Sequence, residues 1–307
     1  MAALHDLFNI FANNLMPILL LGAAGYLLGK FFPVDSPSVG RVTFYVLSPI
    51  LVFNLLMQSH LALEKISTML FFGISCIFLM AVLAYLLGWL MNVPRESLAA
   101  MVLTSAFGNS GNYGLPLVAF AFGQEALTYA GIYFVASSLM LNTLGVIIAS
   151  LGRLRVKDTL LAFLKVPALY AIFLALLMIR LGWKLPLPLE RTVSLAAGGA
   201  VPMMILLLGL ELQRAHWNHN HFLVVAVSVA LRLIAAPLLA LALTLPFDLN
   251  LAARQAGVTE TGVPTAVMTI VLAGEYKLDT SQVTATVFLS TLLSPLTLTP
   301  LLFLLGR

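Results

Sequence analysis

The sequence predicts an all-helical integral membrane protein: ten transmembrane helices as two inverted five-helix repeats, with broken, crossing helices 4 and 9. Two observations lead there. The 307-residue chain is 61% hydrophobic and only 9% charged, with a mean hydropathy of +1.03, whereas soluble domains average about 45–50% apolar and about 25% charged residues. Polar breaks interrupt two otherwise apolar segments at matching places in the two halves, Gly108-Asn109-Ser110-Gly111-Asn112-Tyr113-Gly114-Leu115-Pro116 and Thr259-Glu260-Thr261-Gly262-Val263-Pro264. At membrane depth, non-helical backbone survives only where protein or a water-filled cavity satisfies its polar groups, so paired breaks point to a substrate site between inverted repeats.

A span needs about 20 mostly apolar residues. Charged and proline-rich punctuation divides the chain into candidates near 7–29, 39–57, 66–91, 97–122 (broken), 126–151, 159–181, 190–212, 222–245, 250–274 (broken) and 280–305. The first apolar stretch, Leu15 to Leu28, follows His5 and Asp6 rather than a basic segment and lacks a small-residue cleavage site, which reads as a retained span and not a signal peptide. The first repeat is expected over 1–152 and the second over 153–307. The lone Cys76 cannot form an internal disulfide, and a scattered net charge of +4 gives no reason to expect nucleic acid as a partner.

Basic residues orient the spans. Lys30, Arg41, Arg95, Arg214 and Lys277 fall in odd-numbered loops, and Arg153, Arg155 and Lys157 cluster in the fifth; the even loops and termini hold Lys65, Arg180, Lys184, Arg191 and Arg307. This places the odd loops in the cytoplasm and both termini outside. Internal repetition supports a five-plus-five plan: Pro17 matches Pro167, Pro49 matches Pro202, and Gly114-Leu115-Pro116 matches Gly262-Val263-Pro264, each about 150 residues apart.

The breaks define a chemistry. Glycines tolerate the conformations that stop a helix, and a proline suits the first turn of the helix that restarts. The restarting halves, from about Pro116 and Pro264, are expected to aim free N–H groups and a positive dipole end at the gap, and the arriving halves to end in unpaired carbonyls. An anion suits the first and a cation the second. Asn109, Ser110, Asn112, Gly114, Pro116, Thr261, Gly262, Pro264 and Thr265 form the expected substrate site, with Asn142 of span five as a further candidate. The breaks could instead be short loops or packing kinks, but residues 97–108 and 115–122 are each too short to span a bilayer alone.

Several runs resemble the auxin efflux carrier family of membrane transporters: Asn109 to Leu117 in span four, Pro167, Trp183 to Pro188, Val201 to Leu212, and Ala273-Gly274-Glu275-Tyr276. The resemblance extends over nearly the whole chain. It implies ten spans, both termini outside, crossed helices 4 and 9, scaffold and transport subdomains, and a homodimer in the lipid bilayer. It also implies a small organic anion, a carboxylate, as the substrate. The short fifth loop is like that of bacterial members, so a bacterial carrier of a metabolic carboxylate in the inner (plasma) membrane is expected.

Glu260 departs from the greasier second crossover of that family. An ionisable residue at membrane depth calls for a partner. Arg254, six residues earlier, is one candidate, which would make the glutamate structural. The functional reading gives Glu260, with Thr259, a coupling sodium ion or proton; bile acid sodium symporters, which share the general fold plan, resemble this chain in having a glutamate there. Either ion fits the sequence. Asn54 and Asn142 could face the cavity or hold helices together. Arg232 could neutralise a carboxylate or snorkel from a span end. His216, His219 and His221 have metal-like spacing but no completing ligand, and no metal or other cofactor is expected. No paired intramembrane aspartates, nucleophile with base or His-Glu-x-x-His motif supports an enzyme. A channel or facilitator, or a receptor without active transport, remains as the alternative to a carrier.

Overall fold

The computed structural model describes residues 2–59, 61–150, 166–213 and 222–306. Within these residues the chain consists of helices and short connections, with one isolated antiparallel bridge, Gly108 to Thr265. The helices are α1 (2–31), α2 (Ser36–Gln58), α3 (Leu63–Leu90), α4 (Arg95–Ala106), and α5 and α6, which share Ser110–Ala149 and divide at Gly123. They continue with α7 (Pro167–Leu181), α8 (Leu187–Gln213), α9 (Phe222–Leu243), α10 (Leu251–Gly262), α11 (Met268–Glu275) and α12 (Thr280–Leu305). Gly123 takes φ 74° and ψ −161°, a conformation open to glycine and strained for other residues. The start of the expected sixth span, the boundary between 152 and 153, the basic cluster Arg153, Arg155 and Lys157, Arg214, Arg307 and the three loop histidines all lie outside the described residues.

Among the described residues, seven helical stretches are long and apolar enough to cross a membrane, at His5–Phe31, Ser36–Gln58, Leu63–Leu90, Ser110–Ala149, Leu187–Gln213, Phe222–Leu243 and Thr280–Leu305; Pro167–Leu181 is a shorter apolar helix. Large apolar side chains cover the outside, and the apolar core also encloses polar side chains. On α12, Leu292, Leu296 and Leu304 are exposed while Thr286, Ser290 and Ser294 are fully buried. Those buried hydroxyls donate to carbonyls of their own helix, Thr286 to Gln282 at 2.9 Å, Ser290 to Val287 at 3.1 Å and Ser294 to Thr291 at 2.8 Å. This satisfies them where no water competes.

Prolines and π turns coincide at four places, although Pro202, Pro295 and Pro300 sit inside plain α-helix and the π turn Leu141–Gly145 has no proline after it. π turns occur at Phe11–Leu15, Thr43–Leu47, Ser110–Gly114 and Leu231–Ala235, and each ends two residues before a proline: Pro17, Pro49, Pro116 and Pro237. A proline ring clashes with the carbonyl four residues back and offers it no N–H. Widening that turn to the π register moves the carbonyl aside and lets the helix continue.

The densest packing falls within two groups of helices, which also touch each other where α2 and α8 meet α5–α6 and α1 meets α12. α8 packs along α1 and also against α2, and α7 lies on α2; α3 packs on α4 and α5–α6, α10 on the latter, and α9 and α12 on α4. In the first group the α1–α8 crossing relies on small residues that let backbones touch. A Cβ built at Gly209 would collide with the Gly22 carbonyl oxygen, and one at Gly25 with that of Leu206. Gly22 itself has open space where its Cβ would be. Gly209→Ala is therefore expected to destabilise the protein by about 1–3 kcal/mol, while Gly22→Ala stays within about 0.5 kcal/mol of the parent; thermal unfolding in detergent measures the contrast.

Candidate functional site

The two breaks meet. Helical hydrogen bonding in α4 stops at Ala106 and in α10 at Gly262, and the released segments pair with each other: the Asn109 N–H donates to the Pro264 carbonyl at 2.7 Å, and the Ala266 N–H to the Phe107 carbonyl at 2.9 Å. The bridge between Gly108 and Thr265 is thus a miniature antiparallel ladder inside an all-helical body. It answers the requirement that buried backbone groups find partners.

The carbonyls at the two helix ends are completed by one side chain. Arg232 projects from the π turn of α9 and is 1% exposed. Its Nε donates to the Val263 carbonyl at 2.9 Å and its Nη1 to those of Ser105 at 3.3 Å and Ala106 at 3.1 Å, while Nη2 donates to the Thr261 carbonyl. The Thr265 hydroxyl donates to the Thr104 carbonyl at 2.8 Å. Residues 104 to 107 at the end of α4 therefore all have carbonyl partners. The expectation that Arg232 snorkels is corrected: it lies mid-helix, where two negative helix ends converge and bind its charge.

The N-terminal ends are also closed. Asn109 caps α5, its Oδ1 accepting from the Asn112 N–H at 3.3 Å and its carbonyl from the N–H groups of Tyr113 and Gly114. The Ser110 N–H donates to the Gly108 carbonyl at 2.9 Å, and the Thr265 N–H to the Ser290 hydroxyl at 3.1 Å. The free N–H groups expected there are thus largely occupied, because an uncapped helix start is costly in a dry interior and nearby oxygens complete it first.

What remains unpartnered is side-chain chemistry. Glu260 is fully buried and neither carboxylate oxygen has a hydrogen-bond partner; the Asn109 Nδ2, Ser110 Oγ and Thr259 Oγ1 atoms are also buried and unpartnered. The Ser110 side chain interacts with the Glu260 carboxylate, short of full hydrogen-bond geometry. That carboxylate occupies the space where a side chain on Gly114 would begin, since a Cβ there would collide with its Oε2. The absence of a side chain at Gly114 lets an acid settle against the first turn of α5, at the positive end of its dipole. The Arg254 pairing is not made: Arg254 is exposed on the first turn of α10, and six residues is about 9 Å of helix.

The profile of the membrane transport protein family (Mem_trans) matches residues 10–157 and 153–302. The chain belongs to this family, that of the auxin efflux carriers. An uncharacterized transporter of the archaeon Methanothermobacter thermautotrophicus is 28% identical over 289 residues, spanning 92% of this chain and 94% of the relative. An uncharacterized transporter of Methanocaldococcus jannaschii is 25% identical over 296 residues, spanning 90% and 93%.

In this Mem_trans protein the expected substrate residues divide into open and committed groups. Asn112 is half-buried with its side chain against Glu211, and Asn109 and Ser110 carry the unpartnered atoms described above. Thr261 and Thr265 are committed: the Thr261 hydroxyl donates to the Gly257 carbonyl at 2.7 Å and lies 3.0 Å from the Tyr133 hydroxyl, and Thr265 is bonded through both its hydroxyl and its N–H. Gly114, Pro116, Gly262 and Pro264 are buried backbone elements of the crossing. Asn142, in the π turn Leu141–Gly145, donates to the Ser138 carbonyl of its own helix at 2.8 Å, and the Asn54 Oδ1 accepts from Gln58 at 3.1 Å. Among the described residues no group of three His, Cys, Asp or Glu side chains converges as a metal site would require.

Two residues were not recognised from sequence. One is Arg232 in its capping role; the other is Glu211 on α8, whose side chain lies beside Asn112 with a buried, unpartnered Oε2. Glu211 reaches the crossing from the other helix group. Its signal in the sequence is an acid inside the apolar run Val201 to Leu212.

The double role of Asn109 is separable. Asn109→Ala is expected to lose the cap, at about 1 kcal/mol of stability, whereas Asn109→Ser keeps a capping oxygen, removes the free amide and stays close to parental stability in the same unfolding assay.

Proposed function

We propose that this protein is a secondary transporter that carries a small organic acid, as its carboxylate, by alternating access at the crossing of α4–α5 with α10–α11. The observation that carries this reading is the concentration of buried, unpartnered polar atoms on Asn109, Ser110 and Glu260 beside half-buried Asn112, at the one place where two breaks from different halves of the chain meet. Buried polar groups without partners are expensive, and a transporter cavity is where a solute or proton would complete them. The donors for an anion are side chains, the amides of Asn109 and Asn112 and the Ser110 hydroxyl, aided by the positive dipole end of α11.

On this reading α4 with α5 and α10 with α11 each make one interrupted span. Together with the seven membrane-length stretches, in which α6 is a span of its own beyond Gly123, and with α7, they complete ten spans. The α1, α2, α7 and α8 group serves as scaffold, the remainder moves, and Asn112 against Glu211 lies where the two groups meet. Glu260 is the coupling residue, exchanging a proton or lying beside a cation, with Thr259 as its neighbour. An inner-membrane homodimer with both termini outside completes the proposal.

Ligands that bind the folded state raise its melting temperature. A panel of mono- and dicarboxylates is expected to yield at least one concentration-dependent shift, and that acid is expected to show saturable uptake and counterflow in proteoliposomes. Flux without saturation or counterflow points to a channel, and a shift without flux to a receptor. Asn112→Ala is expected to weaken binding about tenfold or more, the loss of a hydrogen bond to a charged group; parental affinity in a folded variant removes the residue from the site. Glu260→Gln is expected to abolish the ion or pH dependence of uptake, and unchanged dependence excludes it as the coupling group.

A further inference from the structure

We infer that the Arg232 guanidinium is the resident cation of the crossing, occupying the place at the joined helix ends that a soluble coupling cation would take, so that the transporter is independent of sodium. This rests on the crossing being the transport site, the reading proposed above.

The chemistry of the position supports it. In crossed broken-helix sites, unwound carbonyls and half-helix C-termini are the groups that coordinate a coupling sodium ion. Here the corresponding carbonyls, those of Ser105 and Ala106 from one break and Thr261 and Val263 from the other, all accept from a single guanidinium. The planar fork of an arginine, always charged and carrying donors in several directions, suits such a convergence better than a lysine would.

Space points the same way. A Cβ on Gly108 would stand 2.9 Å from Nη2 and 3.1 Å from Cζ of Arg232, so the guanidinium takes the space that a side chain there would need. The side chain comes from the π turn Leu231–Ala235, forced by Pro237, and π turns redirect side chains in this manner. Arg232 meanwhile leaves both Glu260 oxygens without a hydrogen-bond partner, so the acid is not consumed in a fixed pair. With the cation position filled, a proton is the species left for Glu260 to exchange.

The test compares melting temperatures of the purified full-length protein in sodium, potassium and choline chloride at constant ionic strength. Parent protein is expected to melt within about 1 °C in all three, a shift well under that of a 1 kcal/mol change for a chain of this size. Saturable stabilisation by sodium over potassium and choline overturns the inference, and this arm needs no variant. Arg232→Gln is expected to melt several degrees lower and to be raised again, saturably, by sodium or by millimolar guanidinium chloride, far below denaturing concentration, but not by choline. A Gln variant as stable as the parent, or insensitive to both cations, also overturns it. Should that variant not fold, Arg232→Lys replaces it: retained charge with poorer reach is expected to give a lower melting temperature, and parental stability counts against the multidentate role. An organic-acid titration of the parent in the same buffers keeps the two readings apart: absence of any acid-induced shift sinks the transport-site proposal, while the cation series still decides the role of Arg232.

Discussion

Everything at the centre of this molecule depends on one constraint: backbone polar groups that leave helical hydrogen bonding inside an apolar body must find other partners. The chain releases such groups twice, after Ala106 and after Gly262. It resolves the problem by bringing the two segments together as a short antiparallel pair and by inserting Arg232 among the remaining carbonyls. Neither break is tenable without the other. The crossing is thus a single cooperative unit built from both halves of the sequence, and the glycines at 108 and 114 exist in it as space, one for a guanidinium and one for a carboxylate.

The electrostatic result is a crossing that largely neutralises itself. Two negative helix ends hold a buried cation, and the positive start of α5 holds the buried acid Glu260. A dipole end so occupied cannot also be the principal attraction for a solute. On the transport reading proposed above, the groups left to meet a solute are the side chains that remain unpartnered, with Asn112 and Glu211 beside them from helices of opposite groups.

Proline has a broader part in the architecture than marking repeats. The π turns before Pro17, Pro49, Pro116 and Pro237 keep long helices continuous through residues that would otherwise break them. The turn before Pro116 lies within the crossing, and the one before Pro237 carries Arg232. The same local device that preserves a helix therefore also delivers the key side chain to the site.

Composition determined the membrane character of the chain, and the polar runs at 108–116 and 259–264 pointed to the neighbourhood of the irregular segments but not to their bounds. Helical order fails at 107–109 and 263–267, while Ser110–Gly114 is a π turn and Thr259 to Gly262 stay in the helix Leu251–Gly262, because local glycine and proline rules mark a weak point and tertiary pairing decides which residues leave the helix. The order of motifs also carried the family. Partnership was decided only by tertiary structure. Glu260 has Arg254 within reach along the sequence, yet helix geometry turns them apart, and the charge that matters to the crossing, Arg232, arrives from a helix 31 residues distant from Val263. The N–H groups that sequence reasoning left free were claimed by Asn109 itself and by Ser290 of α12. A sequence shows which groups will need a partner; which partner reaches them depends on the directions in which separate helices point, and that is fixed only when they pack.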